Sequence, residues 1–179
     1  MIDSAVRARL AHWALFLVLV FIVYFLRLIP ANPGTRQLPD PYWVVIFGYA
    51  WVIRRPDYVP TPLFAAAVFL GDVLFLRPLG LWSAISIGGL EFLRARAQFS
   101  RELPFLFEWA MVAGVIVLMA VANRVLLGVF IVNQPDLAST GIQLLLSILA
   151  YPLVVGISAT LFGVRKVAPG ATDKMGHRI

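Results

Sequence analysis

From Ile142 to Val164 the chain carries no charged residue. A helix needs about 20 mostly apolar residues to cross the hydrocarbon core of a bilayer, and this run is long enough. Phe105 to Ala122 is similar, with Glu108 as its one charge, and Trp13 to Ile29 is apolar except for Arg27. Hydrophobic residues make up 61% of the 179 and charged residues 13%. A soluble domain is nearer half apolar and about a quarter charged. The excess cannot be hidden in one core of this size, so the sequence predicts an all-α integral membrane protein.

Shorter apolar runs lie between the long ones. Tyr42 to Ile53 is rich in aromatics but too short to span alone. It reads either as a short, partly buried helix that borrows flanking residues or as a re-entrant segment. Leu63 to Leu76 and Leu79 to Leu93 form an apolar pair around Arg77-Pro78-Leu79-Gly80. Pro60 and Pro62 fit the first turn of a helix, where the missing N–H costs little. Arg94 to Glu102 reads as a charged loop, and Asn123-Arg124 as the end of the span that Pro104 opens, with an apolar continuation to Val132. Pro152 is a candidate kink in the last span.

Charge bias decides the topology. Arg7 and Arg9 precede the first run, which is longer than the apolar part of a signal peptide and has Pro30-Ala31-Asn32-Pro33 where a cleavage site would be. It is expected to be retained. With six spans and the N-terminus inside, Arg7, Arg9, Arg54, Arg55, Arg94, Arg96, Arg101, Arg165, Lys166, Lys174 and Arg178 share the cytoplasmic side. Arg27, Arg36 and Arg77 face outward, with Arg124 near that interface. A re-entrant second segment would reverse every later loop and violate the positive-inside bias. The expected organisation is a cytoplasmic N-terminus over 1–11, a compact bundle of six short transmembrane helices over 12–165 and a cytoplasmic tail over 166–179. The +6 net charge then reflects membrane orientation. No basic helix or aromatic platform stands outside the apolar runs to bind nucleic acid.

Catalytic constellations are missing from the sequence. There are no cysteines, and the two histidines, His12 and His177, lie near the chain ends. Neither a metal-ligand spacing nor a cofactor motif is present. Ser83, Ser86, Ser147 and Ser158 sit within apolar runs, but no His or Lys lies there to activate a hydroxyl. Their expected role is hydrogen bonding to backbone or neighbouring helices. Gly88-Gly89, the Ala67/Gly71 pair and Ala113-Gly114 read as small-residue seams for close packing.

The intramembrane ionisable groups are Asp72, Glu91, Glu108 and Arg124. Such groups are costly in a bilayer and mark functional or locking positions. Glu91 can pair with Arg94 at i,i+3. Glu108, one turn inside Pro104, can reach the inner interface. Asp72 is expected to pair with Arg77, Arg27 or Arg124 and so lock the bundle. A proton or solute site and a partner-binding role are the other readings of this carboxylate. Without a histidine or lysine in the spans, no proton relay can be assembled around it.

The order of these features resembles the MreD family of bacterial rod shape-determining membrane proteins. A first span and a Pro39-Asp40-Pro41 loop come first, then a short aromatic segment closing in Arg54-Arg55-Pro56. Gly71-Asp72 and Pro78-Leu79-Gly80-Leu81 follow, and then a span ending in basic residues. The resemblance runs from Trp13 to Lys166, and Gly-Asp followed by Pro-Leu-Gly is its most specific part. Arg77 departs from the small or polar residue expected before Pro78. The resemblance implies a non-enzymatic subunit of the cell elongation machinery, with a fold similar to the substrate-binding S-components of energy-coupling transporters. Its implied partner is an MreC-like membrane protein. Through that partner it would be linked to the MreB filament, the RodA glycosyltransferase and the class B penicillin-binding protein that works with RodA. The alternative is an S-component-like protein with a small solute near Asp72 and the outer loops.

Overall fold

The computed structural model describes residues 4–29, 39–100, 103–132, 134 and 136–164. Among these it is all-helical, with α1 (Ser4–Leu28), α2 (Trp43–Arg54), α3 (Thr61–Leu74), α4 (Leu81–Ser100), α5 (Phe105–Val129) and α6 (Leu137–Thr160). A 3₁₀ turn, Pro56–Tyr58, joins α2 to α3. Three helices are long and apolar enough to cross a membrane: Val6–Leu28 within α1, α5 and α6. α2 and α3 are shorter apolar helices, and α4 carries Glu91, Arg94 and Arg96 in its second half. Six helices thus stand where six spans were expected, and three of them have spanning length and apolarity.

Prolines set several boundaries. Pro41 precedes α2, Pro56 follows it, Pro60 and Pro104 are the N-cap residues of α3 and α5, and Pro62 lies in the first turn of α3. The residue before a proline disfavours the helical conformation, and proline itself fits best at a helix start, where its missing N–H costs little; Pro152 is the exception, inside α6. α6 starts on Asp136, whose side chain accepts the Ser139 N–H at 3.3 Å. Two expected boundaries are corrected. α4 continues through Arg94 to Ser100, because Ala, Arg and Gln favour helix whether or not they are charged. α5 runs through Asn123-Arg124 to Val129, because neither residue breaks a helix. The proposed tail 166–179 lies outside the described residues.

α2 is the axis of the molecule. Every residue from Val44 to Arg54 is buried. It packs against α1, α3, α4 and α6, while α3 packs on α1, α4 on α3, α5 on α4 and α6 on α5. A helix apolar on all sides is stable only when surrounded. That resolves the short aromatic run as a buried helix passing between two ends of the bundle. The rim is not closed along its length between α1 and α6. There the two helices meet at one end, where His12 Nε2 lies 3.3 Å from the Phe162 carbonyl oxygen.

Polar contacts pin α2 to its neighbours. Trp51 Nε1 donates to Ser158 Oγ at 3.0 Å, and the Tyr49 hydroxyl donates to the Ser86 carbonyl at 2.9 Å. The Tyr42 N–H donates to Ser147 Oγ at 3.0 Å. Ser83, Ser147 and Ser158 thus use their hydroxyls between helices, and Ser86 its carbonyl. Close approach explains the seams. A Cβ at Gly71 would overlap the Tyr24 hydroxyl, and that hydroxyl donates to the Ala67 carbonyl at 2.9 Å. The Ala67/Gly71 pair therefore receives one tyrosine of α1. Gly89 makes the same allowance for Tyr49, whereas Gly88 and Gly114 face open space.

Candidate functional sites at the two ends of the axis

One end gathers α1's first turns, the end of α2, the starts of α3 and α5 and the end of α6. Here Glu108, fully buried, accepts from Arg54 Nη1 at 2.6 Å and from the Tyr151 hydroxyl at 2.6 Å. Arg54 is 5% exposed and also donates to the Ala50 carbonyl at 3.3 Å. Three helices, α2, α5 and α6, are fastened through one carboxylate. Glu108 therefore does not reach the inner interface as expected. Its helix turns it toward the axis, where Arg54 supplies the opposite charge. Around this centre, His12 stacks on Tyr58 with ring centroids 3.9 Å apart, and Trp13 Nε1 donates to the Asp57 carbonyl at 2.9 Å. Glu91 pairs with Arg94 at 3.4 Å, the expected i,i+3 contact. Arg94 also donates to the Val59 carbonyl at 2.7 Å.

The opposite end holds the Gly71–Gly80 hairpin. Asp72 is fully buried in the last turn of α3. Its Oδ2 accepts from the Gly80 N–H at 3.2 Å, the Ser83 N–H at 3.1 Å and the Ser83 hydroxyl at 2.6 Å. The first N–H groups of a helix have no partner within it, and its start carries positive partial charge. Asp72 fills that role for α4 from the preceding helix. The hairpin brings it there through Leu76 and Gly80, both at positive φ (50° and 80°). The second is the conformation that glycine adopts without strain.

An arginine partner for Asp72 was the expectation, and the structure places those cations otherwise. Arg27 pairs with Asp40 at 3.4 Å and lies 4.4 Å from the Phe75 ring centre. Arg77 lies over Phe75 and Trp82, at 5.9 Å and 5.5 Å, and makes no ion pair among the described residues. Arg124 sits on α5, and among the described residues the Asp72 side chain hydrogen-bonds to Gly80 and Ser83. Matching opposite charges along the sequence overlooks backbone N–H groups, which compete for a carboxylate at a helix start. Burial, and then the neighbouring Arg27 charge, lowers the pKa of the Arg77 guanidinium from its ordinary value.

Beside this hairpin a cleft of about 490 Å³ opens where α1 and α6 fail to close the rim. Its walls come from Ile22 and Leu26 of α1, Val45 of α2, Val68 of α3, and Leu153 and Ile157 of α6. Arg27, Asp40, Tyr42 and Arg77 stand at its polar end. Asp72 is not part of its lining, so the cavity and the buried carboxylate are separate features. The arrangement positions charges and helices.

No family model matches the chain, and neither a curated protein nor a solved structure matches it.

Proposed function

We propose that the chain is an MreD-like subunit of the bacterial cell elongation complex. In this reading it is a multi-pass protein of the cytoplasmic membrane with both termini in the cytoplasm. It acts by holding an MreC-like membrane protein, and through it the MreB filament and the RodA synthase with its class B penicillin-binding protein. It performs no reaction of its own.

One observation carries the proposal. The residues on which the resemblance rests, Gly71, Asp72, Pro78, Leu79 and Gly80, form a single built unit. Gly71 admits Tyr24, Asp72 holds the Gly80 N–H and caps α4, and Gly80 turns the chain. A rigid hairpin at the outward end, with Leu76 and Leu79 exposed, presents a fixed apolar tip to a partner. The alternating helices and the meeting of α1 and α6 at His12 and Phe162 agree with both termini on one side.

The test is depletion in the bacterium that encodes the chain. Rod-shaped cells should round up and lose side-wall synthesis, and an untagged copy should restore them. Unchanged shape and side-wall labelling after complete depletion would overturn the proposal.

A further inference from the structure

The cleft between α1 and α6 has properties that the scaffold reading does not use. Its walls are apolar, and its flanking residues Ile22, Leu26 and Leu153 are themselves exposed, at 45%, 62% and 57%. It therefore opens sideways onto an apolar surface, and an occupant enters from the side rather than from bulk water. Its volume of about 490 Å³ falls within the range of ligand pockets, about 300–1,000 Å³.

The polar end has an unbalanced charge. Two guanidiniums, Arg27 and Arg77, flank the Phe75 ring, and Asp40 pairs with the first of them at 3.4 Å. Arg77 makes no hydrogen bond or ion pair among the described residues. The segment 30–38 that joins α1 to α2 contains no Asp or Glu, so it supplies no carboxylate. A half-buried guanidinium without a hydrogen-bond partner among the described residues, over an apolar trough, calls for an anion attached to a hydrocarbon. The net positive charge at that end complements a headgroup with one negative charge, and guanidinium forks match phosphate oxygens.

We propose that this cleft binds an anionic phospholipid, with one acyl chain between α1 and α6 and the headgroup phosphate on Arg77 and Arg27. The lipid completes the open side of the rim between α1 and α6. The proposal rests on the membrane reading of the three long helices and not on the identity of any protein partner.

Native mass spectrometry of the full chain, released from mild detergent with phosphatidylglycerol added, tests it. At matched concentration phosphatidylglycerol should be retained about tenfold more than phosphatidylcholine, the effect of one charge-assisted contact. Arg77→Gln should lower phosphatidylglycerol retention about tenfold and Ile22→Trp should block it, while Arg96→Gln at the far end should leave it unchanged. Each variant is checked by size-exclusion profile and circular dichroism, and the comparison of lipids on the unaltered chain needs no variant. Equal retention of both phospholipids, preference for oleate over phosphatidylglycerol, or unchanged retention by well-folded Arg77→Gln would overturn the proposal. Alkaline carbonate extraction separates the two levels. Release from membranes would sink the membrane reading, whereas a membrane-retained chain without lipid selectivity would sink only the lipid site.

Discussion

Arg54 and Glu108 are 54 residues apart in the chain, and their side chains meet at 2.6 Å inside the bundle. Glu108 is fully buried and the Arg54 side chain is only 6% exposed. Removing one partner of such a pair leaves the other charge buried, which costs about 3–5 kcal/mol, whereas replacing both by apolar groups is often close to neutral. Glu108→Ala and Arg54→Ala are each expected to lower unfolding stability in detergent by about that amount. Arg54→Met combined with Glu108→Met should lie well above the sum of the two losses. Additive losses would show that the two side chains act independently.

Tyr151 provides a graded companion to that experiment. Its hydroxyl gives Glu108 a second hydrogen bond at 2.6 Å. Tyr151→Phe should cost about 1.5–3 kcal/mol, as for a hydrogen bond to a charged group. In the Glu108→Gln background the cost should fall toward that of a neutral bond, about 1 kcal/mol. A larger cost in that background would place the role of Tyr151 in packing.

At the other end, Asp72 acts through backbone donors. Asp72→Ala removes a cap and leaves the first N–H groups of α4 without their acceptor, for a loss of about 1–2 kcal/mol. Asp72→Asn retains an acceptor oxygen and should lose less. Gly80→Ala meets no atom within 4 Å, so its cost is conformational, about 1–2 kcal/mol for forcing a side chain to positive φ. Thermal unfolding of the three variants measures all of this. A stable Gly80→Ala protein would show that the turn can relax.

The seam between α1 and α3 can be tested by compensation. Gly71→Ala drives a methyl group into the Tyr24 hydroxyl and should destabilise by about 1–3 kcal/mol. Tyr24→Phe gives up the bond to the Ala67 carbonyl but removes the overlapping atom. The double variant should therefore be more stable than Gly71→Ala alone. If it is less stable, the seam is not held by this contact.

Much of this architecture is legible in the residues. Prolines 41, 56, 60 and 104 mark helix limits. Arg94 to Ser100 was hidden because charge signals exposure, not the absence of a helix. The nature of α2 was hidden for a different reason: an apolar run looks the same whether lipid or protein surrounds it. Only packing shows that Val44 to Arg54 is the axis. The Arg54–Glu108 pair had a trace in the sequence, since the charge bias puts both at the same end. Nothing in the spacing says that they face each other. Asp72 stood out as a buried carboxylate, but its acceptor role lies in backbone donors that no side-chain pattern displays.

The proposed membrane sidedness can be read with single cysteines, because the chain has none of its own. Leu79→Cys and Ile131→Cys, at exposed turns of one end, should react with an impermeant maleimide in intact spheroplasts. Asp57→Cys and Phe99→Cys, at the other end, should react only after the membrane is opened. The reverse pattern would invert the proposed orientation.

The central claim is an architectural subunit that holds an MreC-like partner, and co-purification from solubilised membranes tests it most directly. The affinity-tagged full chain should retain the MreC-like protein in mild detergent, with an unrelated multi-pass protein left behind. Recovery should fall when Asp72→Ala and Gly80→Val are combined in a chain that still folds. Absence of the MreC-like protein from the purified wild-type chain, with both proteins present in the starting membranes, would contradict the account.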